Sequence, residues 1–205
     1  MKKNNIVSLK NVIREDIPRI IEWISDKEVY ENWFGQYAYE KSAHLGYEPK
    51  DMINSTQAEW DEVFHDPHHE PHRSIFSIYN ENNHIGEAQL SIDESLGDVQ
   101  ISVLIGDKNY WHKGLGTQTV LALLEHSFLN LSLYRAWVDI PEYNEKAIKL
   151  FNKIGFVHEG TFRKSRPKNG VRFNSVILGF LVEEYKSNYP EGISSHVIEW
   201  DGQNI

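Results

Sequence analysis

From Val99 to Phe128 the hydrophobic period of the chain changes from two to nearly four. Val99, Ile101, Val103 and Ile105 alternate with Gln100, Ser102 and Leu104, which predicts a strand. Val120, Leu121, Leu124 and Phe128 recur at helical spacing. Tyr110–Gln118, Tyr-Trp-His-Lys-Gly-Leu-Gly-Thr-Gln, lies between them, where a strand turns into a helix N-terminus. Upstream, Ile6–Leu9 predicts a short edge strand. Asp16 is expected to cap a helix with Pro18 in its first turn and Ile17, Ile20, Ile21 and Ile24 on its apolar stripe. Asp26–Trp33 continues as a second short helix or turn. Gly35–Arg73 is the least regular part, with Tyr37, Tyr39 and Tyr47, a helix expected over Ser55–Phe64, and a His/Pro loop.

Ile75–Tyr79 and Ile85–Ile92 predict strands around a turn at Glu81-Asn82-Asn83, and Ser95-Leu96-Gly97-Asp98 turns into the strand Val99–Ile105. These are antiparallel hairpins. Arg135–Ile140 is a further strand. Asn144 caps a second amphipathic helix, with Ala147, Ile148, Phe151 and Ile154 on one face and Gly155 ending it. Phe156–Phe162 and Phe173–Leu181 are strands around a polar turn at Lys168-Asn169-Gly170, and the tail after Tyr185 is expected to be loose, although Val197, Ile198 and Trp200 could dock. The order predicts one α+β domain: a mixed, mostly antiparallel sheet with one or two helices before the glycine loop and two after it.

Of the 205 residues, 40% are hydrophobic and 12% aromatic, enough for a sizeable core. The chain has no Cys, which removes disulfides, Cys-based zinc sites and cysteine nucleophiles. The first ten residues hold no continuous apolar run, and no stretch approaches a membrane span, so a cytoplasmic location is expected and no membrane partner. Net charge is −9, which argues against nucleic acid and weakly favours cationic amines.

Lys113-Gly114-Leu115-Gly116-Thr117 brings backbone N–H groups together at a helix start, a site for an anion and most simply a phosphate. A Rossmann dinucleotide site is a poor match. The preceding strands read as hairpins rather than a βαβ unit, and Thr119 stands where the third glycine belongs.

Two motifs, taken together, resemble the GNAT superfamily of acyl-CoA-dependent N-acetyltransferases, in the branch similar to RimJ/RimL-like and polyamine enzymes. The family's phosphate loop, Gln/Arg-x-x-Gly-x-Gly/Ala, is matched by Trp111-His112-Lys113-Gly114-Leu115-Gly116, with Trp111 at the first position. The second motif, Asn-x-x-Ala-x-x-x-Tyr-x-Lys-x-Gly-Phe, is matched from Asn144 to Phe156 except for Phe151 in place of Tyr. The likeness runs from about Ile6 to Tyr185. It divides the chain into one GNAT-like domain over residues 1–185, with an inserted segment at 35–73, and a tail at 186–205.

The resemblance implies acetyl-CoA as co-substrate and no metal. Its pyrophosphate would lie on the amides of Lys113–Thr117, with Trp111 and His112 in the same loop. Its pantetheine arm would pair with the strand at Leu104 and Ile105, and Asn144, Ala147 and Phe151 would contact the arm. The reaction is attack of a neutral amine on a thioester, which needs a base, an oxyanion donor near Leu104 or Ile105, and an acid for the leaving thiolate. Many relatives use a Glu on the strand before the loop and the Tyr of the second motif. Here those positions are Gln100 and Phe151, which can supply neither. Glu87, Asp98 or Asp139 could substitute, water could relay the proton, or the domain could have lost catalysis. Water relay is preferred, with Glu87 and Asp139 as the carboxylates to test, each weighed against a plain solvated strand-end charge.

The first helices and the loop after them form the acceptor wall in this family. Glu22-Trp23 and Glu31-Asn32-Trp33 look similar to aminoglycoside 6′-type acetyltransferases, so Trp33, Phe34 and Tyr37 are the expected substrate contacts. Trp23 and Trp33 could equally cap the core. The acceptor is a small-molecule or peptide amine, with polyamines included. A homodimer is left open. His65, His68, His69 and His72 invite a metal reading, but Pro67 and Pro71 favour a polar surface loop.

Overall fold

The computed structural model describes residues 6–31, 44, 46–66 and 72–193. In chain order the elements are β1 (Val7–Asn11), α1 (Ile17–Ser25), α2 (Lys27–Tyr30), α3 (Pro49–Met52), α4 (Gln57–Phe64), β2 (Arg73–Asn80), β3 (Asn83–Asp93) and β4 (Asp98–Ile105). Then come α5 (Leu115–Glu125), β5 (Arg135–Pro141), α6 (Glu145–Ile154), β6 (Val157–Lys168), β7 (Val171–Leu181) and α7 (Val182–Asn188).

The strands form one seven-stranded sheet in the order β1-β2-β3-β4-β5-β7-β6. Every neighbouring pair is antiparallel except β4 and β5. This is the mixed sheet expected from the hairpin pattern. Strand alternation divides the core into two. On one face Phe76, Ile78, Val99, Ile101, Ala136, Val138 and Ile140 pack under α5, α6 and Tyr185 of α7. On the other, Ile75 and Leu104 meet Ile17, Ile20, Trp23 and Ile24 of α1, Val29, Met52 and Trp60. Odd and even positions of one strand thus feed different cores.

Asp16 departs from its expected role. Its side chain makes no capping bond to α1. It turns inward instead, 3% exposed, and accepts from Ser77 Oγ at 2.6 Å, Tyr79 Oη at 2.5 Å and the Ile13 amide at 3.2 Å. His84 Nδ1 lies 3.2 Å from it. A helix start has amides to offer, but β2 offers two hydroxyls in a dry site, where an ionised acceptor is worth more. The carboxylate therefore fastens α1 to the sheet.

The chain past Tyr185 is ordered into the core rather than loose as far as Ile193. Tyr189 Oη donates to the Ile154 carbonyl at 2.9 Å, and the Ile193 amide donates to Glu125 at 2.9 Å, with Ile193 itself buried. Val197, Ile198 and Trp200 lie outside the described residues.

At Gly86 β3 and β4 approach so closely that a Cβ would overlap the Leu104 carbonyl. Backbone on both sides prevents relief, so Gly86→Ala should cost about 2 kcal/mol or more, read as a lowered urea midpoint at unchanged m. A second expectation concerns His126, buried after α5, whose pKa burial pushes down to about 4. Between its unfolded value near ~6.5 and about 4 the unfolded chain binds a proton that the native state refuses, so stability falls as pH drops through that window. His126→Leu should flatten the slope of melting temperature against pH between about 6.5 and about 4.

Candidate active site

β4 and β5 run parallel for only three rungs, Asp98 with Arg135, Val99 with Ala136 and Gln100 with Trp137. Beyond Gln100, β4 continues to Ile105 on β3, and β5 continues to Pro141 on β7. The two strands therefore part, and the backbone edge of β4 facing the gap has lost its partner. An extended ligand carrying amide groups can pair with such an edge.

A cleft of about 560 Å³ opens in this gap, lined by Val103, Leu104 and Ile105 of β4, by the loop at 110–112, by the start of α5, and by Asn144, Ala147 and Phe151 of α6. Two motifs far apart in sequence thus form opposite walls. Of the residues expected to hold the co-substrate, Leu104, Ile105, Trp111, His112, Gly114, Leu115, Gly116, Thr117, Asn144, Ala147 and Phe151 all line it. Lys113 does not line it. Its ammonium sits 5.0 Å from the Tyr110 ring. Tyr110, Val120, Lys146 and Leu150 complete the wall, and the sequence motifs gave no signal for them.

The loop is shaped by two left-handed residues, His112 at φ 61° and Gly114 at φ 80°. Nothing lies within 4 Å of where a Cβ on Gly114 would stand, so the glycine meets the demand for positive φ rather than for space. The Trp111 indole donates to the Ile105 carbonyl at 2.6 Å and ties the loop to the end of β4. The first helical bond of α5 runs from the Gln118 amide to the Gly114 carbonyl, and no side chain caps the helix. The amides of Leu115, Gly116 and Thr117 therefore have no intrahelical acceptor, and they point along the positive end of the helix dipole. Across the cleft, Asn144 Oδ1 accepts from the Ala147 amide at 3.2 Å, the expected cap of α6. Phe151 is buried edge-on against Phe156 and carries no proton to give.

The candidate carboxylates are not solvated strand ends. Glu87, opposite Leu104 in the sheet, is fully buried. Its Oε2 accepts from Tyr47 Oη at 2.6 Å, and its Oε1 accepts from Gln89 Nε2 at 2.7 Å and lies 3.0 Å from His44 Nε2. Burial and the adjacent carboxylate raise the Tyr47 pKa well above the usual phenol value, so Tyr47 is a fixed donor. Both oxygens of Glu87 are taken. Asp98 is held by Arg135 at 2.7 Å. Asp139 pairs through Oδ2 with Arg166, while its buried Oδ1 has no hydrogen-bond partner among the described residues. Gln100 stands on the last shared rung of β4 and β5.

On the acceptor side, Trp33, Phe34 and Tyr37 lie outside the described residues. Trp23 is 5% exposed and packs so tightly on Gly106 that any side chain there would collide with its ring. It is core, not a substrate contact. His65 pairs with Asp61 at 2.8 Å and His72 with Glu94 at 3.5 Å, and His68 and His69 lie outside the described residues. Among the described residues no group of three or more His, Asp or Glu side chains could hold a metal ion, and no helix is long and apolar enough to cross a membrane.

A sheet parted beside a glycine-started helix defines the fold of acyl-CoA N-acyltransferases. The chain belongs to the acetyltransferase (GNAT) domain family, whose domain matches residues 7–157. It is similar to the uncharacterized N-acetyltransferase p20 of Bacillus licheniformis, 30% identical over 94 residues, and that match spans about half of each protein, 46% of this chain and 52% of p20. It is similar to the spermidine N(1)-acetyltransferase of Escherichia coli (strain K12), 22% identical over 92% of this chain and 93% of the relative. Among solved structures it resembles the spermidine N-acetyltransferase of Vibrio cholerae in complex with CoA and spermine, at TM-score 0.69 and 21% identity, covering 89% of this chain and 99% of that one.

Glu87→Gln would set an amide N–H against one of the three donors around it. The variant should lose about 2–3 kcal/mol in urea denaturation, which is the behaviour of a buried structural acceptor.

Proposed function

We propose that this chain moves an acetyl group from acetyl-CoA to a primary amine of a small molecule, of aminoglycoside- or polyamine-like kind, or of a protein N-terminus. The observation that carries the reading is the cleft itself. Its floor is the unpaired edge of β4, and one of its ends is the set of open amides at Leu115, Gly116 and Thr117. Those amides suit the pyrophosphate of CoA, and Lys146 adds a cation to the wall. The β4 edge suits the two amides of the pantetheine arm. The arm would then run past Asn144 and Phe151 toward the acceptor face of the sheet. The RimJ/RimL-like branch suits the Trp at position 111.

In the reaction the amine lone pair forms the new C–N bond, the C–S bond breaks, and the thiolate leaves and takes a proton. A β4 amide near Leu104 would steady the tetrahedral oxyanion. Gln100 cannot remove the ammonium proton, and Glu87 already holds three donors. Asp139, with one open oxygen, is the better-placed carboxylate of the three, acting directly or through water. With Phe151 in place of a phenol, water protonates the thiolate, and proximity supplies most of the acceleration.

Thiol release from acetyl-CoA across a panel of amines tests the reading. Turnover on at least one primary amine is expected. CoA binding without turnover on any of them would instead make the chain an acyl-CoA-binding regulatory module, the role that Gln100 and Phe151 favour. Phe151→Tyr restores a proton donor at the cleft wall and should raise kcat about tenfold or more, with the acetyl-CoA KM unchanged. No rise would show that protonation of the thiolate does not limit the rate.

A further inference from the structure

Among the described residues, four polar atoms that are buried yet lack hydrogen-bond partners belong to side chains gathered around Arg166 and Lys168 of β6. They are Glu31 Oε1, Asp139 Oδ1, Tyr143 Oη and Arg166 Nε. They come from three parts of the chain: the end of α2, β5 with the turn that follows it, and β6. Arg166 pairs with Asp139 Oδ2. Lys168 reaches Glu31 Oε2 at 3.3 Å and stands 4.2 Å over the Tyr143 ring. Lys27 is 3.7 Å from Glu31 Oε1, beyond hydrogen-bond reach. Burial raises the Tyr143 pKa, with Arg166 and Glu31 as the charges that act on it.

The position of the group ties it to the cleft. Asp139 lies two residues past Trp137, where β5 has left β4. Alternation turns Asp139 away from the core under α5 and α6, to which Val138 and Ile140 contribute. Tyr143 directly precedes Asn144, which lines the cleft.

An orphaned buried polar atom is costly unless a group from outside the chain pairs with it. Their chemistry is mixed. Two carboxylate oxygens need donors, the Arg166 Nε–H needs an acceptor, and the Tyr143 hydroxyl can serve either way. The other oxygen of each carboxylate is already neutralised by Lys168 or Arg166, so the group is not a bare cation trap. A ligand made only of amines and methylenes would satisfy the carboxylates and leave Arg166 Nε unpaired.

We infer that Glu31, Asp139, Tyr143 and Arg166 form the acceptor subsite, and that its ligand is a small primary amine carrying an oxygen acceptor close to the nitrogen. The amine donates to Glu31 and Asp139. The neighbouring oxygen, a sugar hydroxyl or an α-carbonyl, accepts from Arg166. This rests on the acetyltransferase reading above and narrows it. It sets the acceptor apart from bare polyamines, which contain no oxygen.

Calorimetric titration of the full chain with CoA present tests it, using glucosamine, glycinamide and 1,4-diaminobutane as probes. At least one of the two oxygen-bearing amines should bind about tenfold or more tightly than the diamine, and the better of them tells hydroxyl from carbonyl. Glu31→Gln should weaken that amine about tenfold, and Arg166→Lys, which keeps a cation for Asp139 but removes Nε, should bring it down to the level of the diamine. CoA affinity should hold in both variants, which shows that a variant losing amine affinity is still folded. Equal or tighter binding of the diamine would overturn the need for an oxygen acceptor, and variants with unchanged amine affinity would overturn the subsite and show that water alone fills it. Because the readout is binding, the two readings fail separately: amine binding without thiol release refutes the activity, and turnover indifferent to Glu31 and Arg166 refutes the subsite.

Discussion

Everything at the candidate site depends on where β4 and β5 stop pairing. Three parallel rungs hold them together, and after Gln100 each strand is kept by its other neighbour, β3 or β7. The gap is therefore not a flaw in the sheet. Each strand is still hydrogen-bonded along one edge, so the cost of the unpaired edge is limited to the groups that face the cleft. Those groups and the open amides of α5 line the same cleft. Trp111 fixes the geometry by tying the loop back to Ile105.

The second core is fastened by buried carboxylates rather than by apolar contact alone. Asp16 binds the start of α1 to β2, and Glu87 binds Tyr47 and His44 to the middle of β3. In a dry site each charge is stabilised by several donors at once, and losing any one donor leaves the remainder short of compensation. Such networks fix position, which suits the wall of an acceptor site. They also occupy Glu87, whose two oxygens already face Tyr47, Gln89 and His44. Asp139, with one oxygen committed to Arg166 and one open, is built differently.

Much of this was legible in the chain. The period-two run at Val99–Ile105, the glycines at 114 and 116 and the cap at Asn144 became β4, the turn into α5 and the start of α6 as expected. Most residues lining the cleft follow from two short motifs because each depends on local backbone geometry, and local geometry is written locally. Asp16 shows the limit. Its sequence context matches a helix cap, yet hydroxyls more than sixty residues away claimed its carboxylate. Trp23 beside Glu22 could be read as acceptor wall or as core, and its packing against Gly106 makes it core.

The sequence by itself determined the strand–loop–helix that offers amides to an anion, and it put at positions 100 and 151 an amide and a phenyl ring that can neither take nor give a proton, since both are matters of residue type. Only the tertiary structure decided which carboxylates are spent and which are open. Arg166 of β6 reaches Asp139 of β5 across β7, and Lys168 of β6 reaches Glu31 just past α2 and the Tyr143 ring, contacts made only by the fold. Their chemistry comes from burial, and burial is a property of neighbours that no local pattern records.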